Sequence, residues 1–288
     1  MERSDSMERR QNYQNDKATL YLIPTPIGNL KDMTFRAVEI MQSVDVLFAE
    51  DTRVTRKLLT HFAIKTDLKS YHEHNKTIKT EVIIDYLKAG KSVGLCSDAG
   101  MPLVSDPGFE AGQAAFVAGF NVVALPGASA GITGLVMSGF RAHPHLFYGF
   151  LDSKSGKRQA ELKRLQMIPD TLIFYEAPHR IKDTLLDVEK VLGDRQAVIA
   201  REISKKFEEV IRGRLSELAV LDDIQGEIVL IVEGFNETIE VKDLRPLSAA
   251  VDDLISQGMT KSEAMKKVAS KRGITKSVVY REYLQNHE

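Results

Sequence analysis

The chain of 288 residues predicts an α/β fold: two α/β domains in succession, followed by a small helical domain. Three observations predict it. From Thr19 onward, short β-branched runs alternate with helical stretches, the pattern of a mostly parallel sheet covered by helices. The turn-rich stretch "GFRAHPHLF" (139–147) interrupts that alternation. From Val241 the pattern changes to short amphipathic helices. The breaks place one α/β domain at 18–138, a second at 139–240 and the helical domain at 241–288. The first 17 residues are polar, lack the apolar stretch of a signal peptide and read as a disordered leader.

Each element follows from local chemistry. "TLYLI" (19–23) reads as a buried strand, and "TFRAVEIMQ" (34–42) as a helix capped by Thr34. "VDVLFAE" (44–50) is a strand and "TRVTRKLLTHF" (52–62) a helix. "TEVIIDYLKAG" follows as helix and "SVGLC" as strand, and a helix opens at Pro107, a favoured first helical position. "NVVALPG" and "ASAGITGLVMSG" close this half as strand then helix. In the second half "LFYGFL", "TLIFYEA", "QAVIARE", "FEEVIRG" and "GEIVLIVEG" read as strands. "KRQAELKRLQ", "HRIKDTLLDVEKVLG" and "LSELAVL" are helices between them. "AREISKKFEEVIRG" brings two strands close in sequence, as in a hairpin, so this sheet is mixed. In the last part Thr260 and Glu263 form a capping box at the start of a helix. Seven basic residues and one acidic residue fall between Lys261 and Arg281.

Composition narrows the function. Hydrophobic residues make up 43% and charged residues 27%, and the formal net charge is −1. Attraction to nucleic acid must therefore come from a local patch. Cys96 is the only cysteine, which excludes an intrachain disulfide and a CxxC metal site and fits a reducing cytosol. No apolar run approaches the roughly 18 residues that a spanning helix needs.

The chemistry gathers in loops. "LCSDAGMPLVSDPGF" (95–109) holds two Asp, two Gly, two Pro and two Ser between a strand and a helix. "PTPIGNLKD" (24–32) and "PGASAGITG" (126–134) also leave strands and enter helices. In one parallel sheet such loops converge on one edge, where α/β proteins bind ligands. They would line a pocket with backbone groups suited to a nucleotide-like molecule, and Asp98 or Asp106 could accept from a ribose hydroxyl or an amine. Neither GxGxxG nor GxxxxGK[ST] is present, which argues against dinucleotide and P-loop sites.

Other motifs suit a polyanionic substrate. In "EDTRVTRKLL", Glu50 and Asp51 end a strand, while Arg53 and Arg56 lie one turn apart and could meet a phosphate backbone. His72 and His74 of "SYHEHNK" lack a third ligand and read as a polar substrate loop rather than a zinc site. Arg201, Lys205, Lys206 and Glu208 follow in the hairpin, and Lys266 and Lys267 belong to the basic tail, whose pattern suits phosphate contacts.

Taken in order, "LYLIPTPIGNLKDMTFRAVEIM", "AEDTRVTRKLL", "SYHEHN", "SDAGMPLVSDPG", "FYEAPHR" and "AREISKKFEEVIRG" resemble one family. It is the bacterial 16S ribosomal RNA (cytidine-2′-O)-methyltransferases, ribosomal RNA small subunit methyltransferase I, within the tetrapyrrole methylase superfamily. The resemblance runs from about Thr19 to Gly234. It implies two α/β domains of tetrapyrrole methylase type with S-adenosylmethionine (SAM) in the cleft between them. It also implies a cytoplasmic homodimer that methylates a decoding-region cytidine ribose of 16S rRNA within the 30S subunit, with no metal and no membrane. Carried over residue by residue, the cofactor contacts fall on Ile27, Asp98, Met101, Ser129, Ala130 and Ala177, with the segment around Arg201 closing over the adenine side. The family's first loop usually begins Gly-Thr-Pro, whereas this chain has Pro24-Thr25-Pro26, and proline removes an N–H.

The implied reaction passes a methyl group from a sulfonium to a ribose 2′-oxygen, so alignment carries much of the catalysis. Glu50, Asp98 and Glu208 are candidate carboxylates for the base. Arg201 and Lys205 are the preferred catalytic pair, Lys205 requiring a lowered pKa from burial beside Arg201 and Lys206. Arg53, Arg56, His72, His74, Lys206, Lys266 and Lys267 would face RNA. A corrin or porphyrin C-methyltransferase and a non-catalytic RNA-binding protein stay open as alternatives.

Overall fold

A run of fully buried strands sets the first layer of the molecule. The computed structural model describes residues 11, 15, 17–236, 246–272 and 274–285. Most of the expected leader and the expected start of the helical domain at Val241 lie outside the described residues. Strands β1 (Thr19–Ile23), β2 (Val46–Ala49), β3 (Leu68–Ser70), β4 (Val93–Cys96) and β5 (Asn121–Ala124) form one sheet in the order β3-β2-β4-β1-β5. Every pairing is parallel. All residues of β2 and β4 are buried, as both-face coverage of a parallel sheet requires.

Five helices connect these strands and lead out of the last: α1 (Phe35–Ser43), α2 (Thr52–His61), α3 (Lys76–Lys88), α4 (Phe109–Val117) and α5 (Ala130–Ser138). Ala37, Met41, Leu58 and Leu59 of α1 and α2 pack with Ile23, Leu47 and Cys96 on one face. Ile83, Leu87, Ala111 and Ala115 of α3 and α4 pack with Leu20, Phe48 and Leu95 on the other. Thr34 caps α1 by accepting from Ala37 N at 3.1 Å.

One strand goes beyond the expected elements, and one helix starts later than expected. β3 escapes the sequence pattern, because three half-buried residues carry no alternation. Helix α4 opens at Phe109 rather than at Pro107. Gly108 takes the cap position at φ +134°, a conformation that glycine enters without strain.

The second sheet is mixed, as expected. Strands β6 (His145–Phe150), β7 (Thr171–Glu176), β8 (Gln196–Arg201), β9 (Glu209–Arg214) and β10 (Ile228–Val232) lie in the order β6-β7-β10-β8-β9. Only β6 and β7 pair in parallel. Helices α6 (Ser155–Leu165), α7 (Ile181–Leu192) and α8 (Leu215–Leu218) cover one face, with Leu162, Leu185 and Leu215 against Phe174 and Leu230. Between α6 and α7, Arg158 and Asp187 form a buried ion pair at 2.6 Å.

The other face of this sheet is covered by α5, which follows the last strand of the first sheet. Leu135 of α5 and Ile27 of the first loop join Ile173, Val198, Val229 and Ile231 in one core. Glycine permits the approach: a Cβ on Gly134 would lie 3.1 Å from Val229 Cγ1. Arg212 of β9 donates to the carbonyls of Ser138 and Met137 and so satisfies the helix end.

Residues up to Phe235 form one compact unit, and those from Asn236 onward form a second. The second contains α9 (Leu247–Ser256), α10 (Lys261–Arg272) and α11 (Lys276–Gln285). Val251, Ala264, Met265, Val268 and Val279 make its core. The expected capping box is present, with Thr260 N donating to Glu263 at 3.1 Å and Glu263 N donating to Thr260 Oγ1 at 3.4 Å. Lys266 and Lys267 lie exposed on α10.

Candidate active site

Because β4, β1 and β5 are neighbours, the turns that leave them emerge side by side. They are tied together. Thr25 N donates to Gly100 O and Gly100 N to Thr25 O, both at 3.0 Å. Thr25 Oγ1 donates to Ser97 O at 3.1 Å. The third turn closes against the first, since a Cβ on Gly127 would stand 2.3 Å from Pro24 Cγ. Pro24 thus trades an amide for a ring that fills the space glycine leaves at 127.

These turns form one wall of a cavity of about 330 Å³. Ile27, Met101, Asp106, Ser129 and Ala130 line it from the first sheet, and Phe150, Tyr175, Ala177, Ile203, Glu227 and Val229 from the second. Tyr175 fixes the junction: its hydroxyl accepts from Gly131 N at 3.0 Å, and its ring packs edge-on to Phe147 and Phe150. Glu176, almost fully buried, accepts from Ala177 N at 2.8 Å and Thr184 Oγ1 at 2.6 Å, which sets the path of "YEAP".

Five of the six expected cofactor residues therefore border one space: Ile27, Met101, Ser129, Ala130 and Ala177. Asp98 does not. Its carboxylate accepts from Asp51 N at 2.9 Å, turned toward the end of β2. Glu50 stands there too, its carboxyl raised by burial and then by the charge of Asp98, with His72 opposing. Asp106 is pushed up to about 7, first by burial and then by Glu50 and Asp98. The rings of His72 and His74 are 6.0 Å apart. His72 Nε2 lies 3.0 Å from Asn75 Nδ2, while its Nδ1 is buried with no hydrogen-bond partner among the described residues. No group of three or more His, Cys, Asp or Glu placed to hold a metal occurs among the described residues.

The expected catalytic pair separates. Arg201 Nε lies 2.5 Å from Glu209 and its Nη1 donates to Gln225 O at 3.2 Å, outside the cavity lining. Lys205 reaches the rim, where Nζ bonds Glu202 at 2.8 Å and Glu227 at 3.1 Å. The lowered pKa required of Lys205 does not arise. Burial alone would lower the ammonium, but hydrogen bonds to Glu202 and Glu227 outweigh it and raise the group. Among the RNA candidates, Arg53 pairs with Asp51 at 2.6 Å and borders a shallow groove along α2 with Arg56. Lys206 lies over the Phe207 ring at 5.5 Å.

Sequence reasoning did not single out Ile203, Glu227 and Val229 as lining residues. β10 runs antiparallel to β7, so its first residues face the same edge as Glu176 and Ala177. "GEIVLIVEG" on its own carries no sign of that direction.

The match to known families now bears on this geometry. Residues 19–219 match the model for tetrapyrrole (corrin/porphyrin) methylases. The chain belongs to the tetrapyrrole methylase family. It is 47% identical to ribosomal RNA small subunit methyltransferase I of Bacillus subtilis (strain 168), over 96% of this chain and 99% of that protein. It is 45% identical to the protein of the same name from Halalkalibacterium halodurans, over 97% of this chain and all of that one. Among solved structures it resembles a diphthine synthase (TM-score 0.59, 14% identity, 75% of this chain and 90% of that one). It also resembles the uroporphyrin-III-C-methyltransferase of Thermus thermophilus (TM-score 0.54, 19% identity, 75% and 94%). These two share the fold. This tetrapyrrole methylase is a methyltransferase whose chemistry calls for a methyl-donor cofactor. No described helix is long and apolar enough to cross a membrane.

Proposed function

We propose that this methyltransferase moves the methyl group of SAM to the ribose 2′-hydroxyl of a cytidine in the decoding region of 16S rRNA. The observation that carries the reading is one cavity walled by three strand-end turns and by Tyr175–Ala177, in a chain whose near-full-length relatives are named for ribosomal RNA.

The cavity fits SAM. Ile27, Met101, Ile203 and Val229 offer apolar contact to an adenosine. Ser129 makes no side-chain cap bond at the start of α5, and apart from Gly131 N, which donates to Tyr175, the first amides of the helix suit the carboxylate of the methionine part. Asp106 and Glu227 give the walls a negative character suited to a sulfonium and an ammonium. When bound, SAM supplies a methyl group on a good leaving group. The chain's own task is to align donor and hydroxyl and to keep water out.

Arg53, Arg56, His72, His74, Lys206, Lys266 and Lys267 are the proposed RNA contacts, with Arg201 and Lys205 at the substrate side. The reading includes a cytoplasmic homodimer acting on the assembled 30S subunit. Ile132 and Val136, exposed on α5, favour a second copy, and sedimentation of the purified chain tests it.

The deciding experiment is calorimetry with SAM, then tritiated methyl transfer to 30S subunits with mapping of the modified nucleotide. Label on a ribose 2′-oxygen of 16S rRNA is expected. Label on a porphyrin or corrin macrocycle and none on RNA overturns the substrate. No binding of SAM overturns the cofactor.

A further inference from the structure

The connection between β8 and β9 is tied down at its base and open at its tip. Glu202 N donates to Glu227 O and Glu227 N to Glu202 Oε1, both at 3.0 Å. Lys205 N donates to Glu202 O at 3.0 Å and Glu208 N to Lys205 O at 3.2 Å. The Glu208 carboxylate accepts from Ser204 N at 2.6 Å. Glu202 and Ser204 adopt φ +51° and +68°, left-handed conformations that cost energy and cluster at functional sites. Ile203, 6% exposed, lines the cavity, and Ser204 bonds Asp32 beyond the first turn. The loop is therefore a fixed part of the cavity rim.

At the tip stands Phe207, 66% exposed. A lone exposed phenylalanine means little by itself, but the surroundings of this one are specific. The Lys206 ammonium lies over its ring at 5.5 Å, so a cation rests where another flat group could pack. The carboxylates that follow the ring are engaged elsewhere, Glu208 with Ser204 N and Glu209 with Arg201. The tip thus offers an aromatic face beside a lysine. Single-stranded nucleic acid is gripped by that combination, its bases on rings and its phosphates on cations.

We propose that Phe207 is the platform on which the base of the acceptor cytidine stacks when that nucleotide turns out of the RNA. The inference rests on the methyl-transfer reading above. A ribose hydroxyl meets a donor held inside the cavity when its nucleotide leaves the RNA stack, and the base then loses its neighbours. Stacking on Phe207 offsets that loss at the rim, a few residues from Ile203 in the cavity wall. Lys206 passes from the ring to a neighbouring phosphate as the base arrives. Every base has a face that stacks, so the ring holds the nucleotide in place and leaves the choice of cytidine to other groups.

Phe207→Ala, Phe207→Leu and Phe207→Trp test it with SAM and 30S subunits. Phe207→Ala is expected to lower kcat/KM for 30S subunits by roughly 5- to 150-fold. Phe207→Leu keeps apolar bulk without an aromatic face and is expected to fall with it. Phe207→Trp stays within about threefold of the parent. Because the side chain is exposed, all three should melt within about 2 °C of the parent and bind SAM equally by calorimetry. The chain has no tryptophan, so Phe207→Trp also places a single fluorophore at the rim. A decoding-region fragment of 16S rRNA is expected to quench its emission on binding, whereas SAM is not. Unchanged kcat/KM in Phe207→Ala, full activity in Phe207→Leu, equal losses in all three, or unquenched emission with the fragment bound overturns the platform. So does altered sedimentation of Phe207→Ala with kcat/KM intact, which assigns the ring to a contact between copies. Failure of the parent itself to methylate RNA overturns the underlying reading instead, so the two are told apart.

Discussion

Lys205 lies across Gly28: a Cβ on Gly28 would stand 2.3 Å from Lys205 Cγ. The contact joins a loop of the second sheet to the first turn of the first. Ser204 adds a hydroxyl hydrogen bond to Asp32, and Lys205 Nζ bridges Glu202 and Glu227. Because Glu227 and Ile27 both line the cavity, the crossing forms one of its rims.

Gly28→Ala therefore tests the rim. The added methyl must push the lysine stem aside, an overpacking cost of about 1–3 kcal/mol. We expect a lower melting temperature and weaker SAM binding by calorimetry. Lys205→Ala in the same background is expected to restore part of the lost stability, since it removes the clashing atoms. No effect of Gly28→Ala on either quantity contradicts the rim as described.

The Arg158–Asp187 pair is the second test. Their side chains are 4% and 10% exposed, and Ser155 and Gln159 also donate to Asp187. Arg158→Ala leaves that carboxylate buried without its cation, so we expect a loss of about 3–5 kcal/mol in denaturant unfolding. The pair also sets a pH dependence. Burial alone would raise Asp187, but hydrogen bonds from Gln159, Ser155 and Arg158 and the Arg158 charge hold it below the usual range. A depressed folded pKa contributes stability above the unfolded value of about 3.9, lost as pH falls below it. Arg158→Ala should shrink that acid-side loss.

Asp106 carries the opposite sign. Its folded pKa of about 7 lies above the ordinary carboxyl value of 3.8, so between these the folded chain binds more protons than the unfolded chain. Stability attributable to this group falls as pH rises through the window. Asp106→Asn removes the effect. Thermal unfolding should show the variant more stable than the parent at pH 8 and equal to it at pH 4. Equal stability at both would mean the carboxylate is not strained in the fold.

The RNA contacts are tested by salt. Arg56→Ala and Lys267→Ala each remove one proposed phosphate contact. Binding to 16S rRNA fragments should weaken, and the slope of log affinity against log salt should shrink by roughly 0.7–0.9 per contact. SAM affinity should not change. An unaltered slope removes that residue from the interface.

The residues differ in how far their sequence announces their place. Strands β1, β2, β4 and β5 and the hairpin from Gln196 to Arg214 stand where β-branched runs put them, and in β2 and β4 burial of every residue leaves a continuous apolar signature. The three turns were legible for a related reason: Gly, Pro, Ser and Asp gather only where chain direction reverses. β3 was not, since Leu68–Ser70 pairs along one edge and its residues are only half-buried. The site was legible where it is made of turns and obscure where it is made of pairing. Glu227 and Val229 enter only because β10 is antiparallel to β7. The Lys205 environment depends on Glu202 and Glu227, which lie 22 residues or fewer from it but are brought to it by the hairpin and β10.

Helix α5 has a consequence for synthesis. It precedes every strand of the sheet it covers, so a nascent chain emerging N-terminal end first presents Leu135 and its neighbours before their partners exist. The first sheet must hold that greasy surface until β10 arrives. Severing the chain at residue 138 would yield two sticky fragments, not two independent modules, and any gene fusion or split-protein scheme should keep residues 19–235 in one piece.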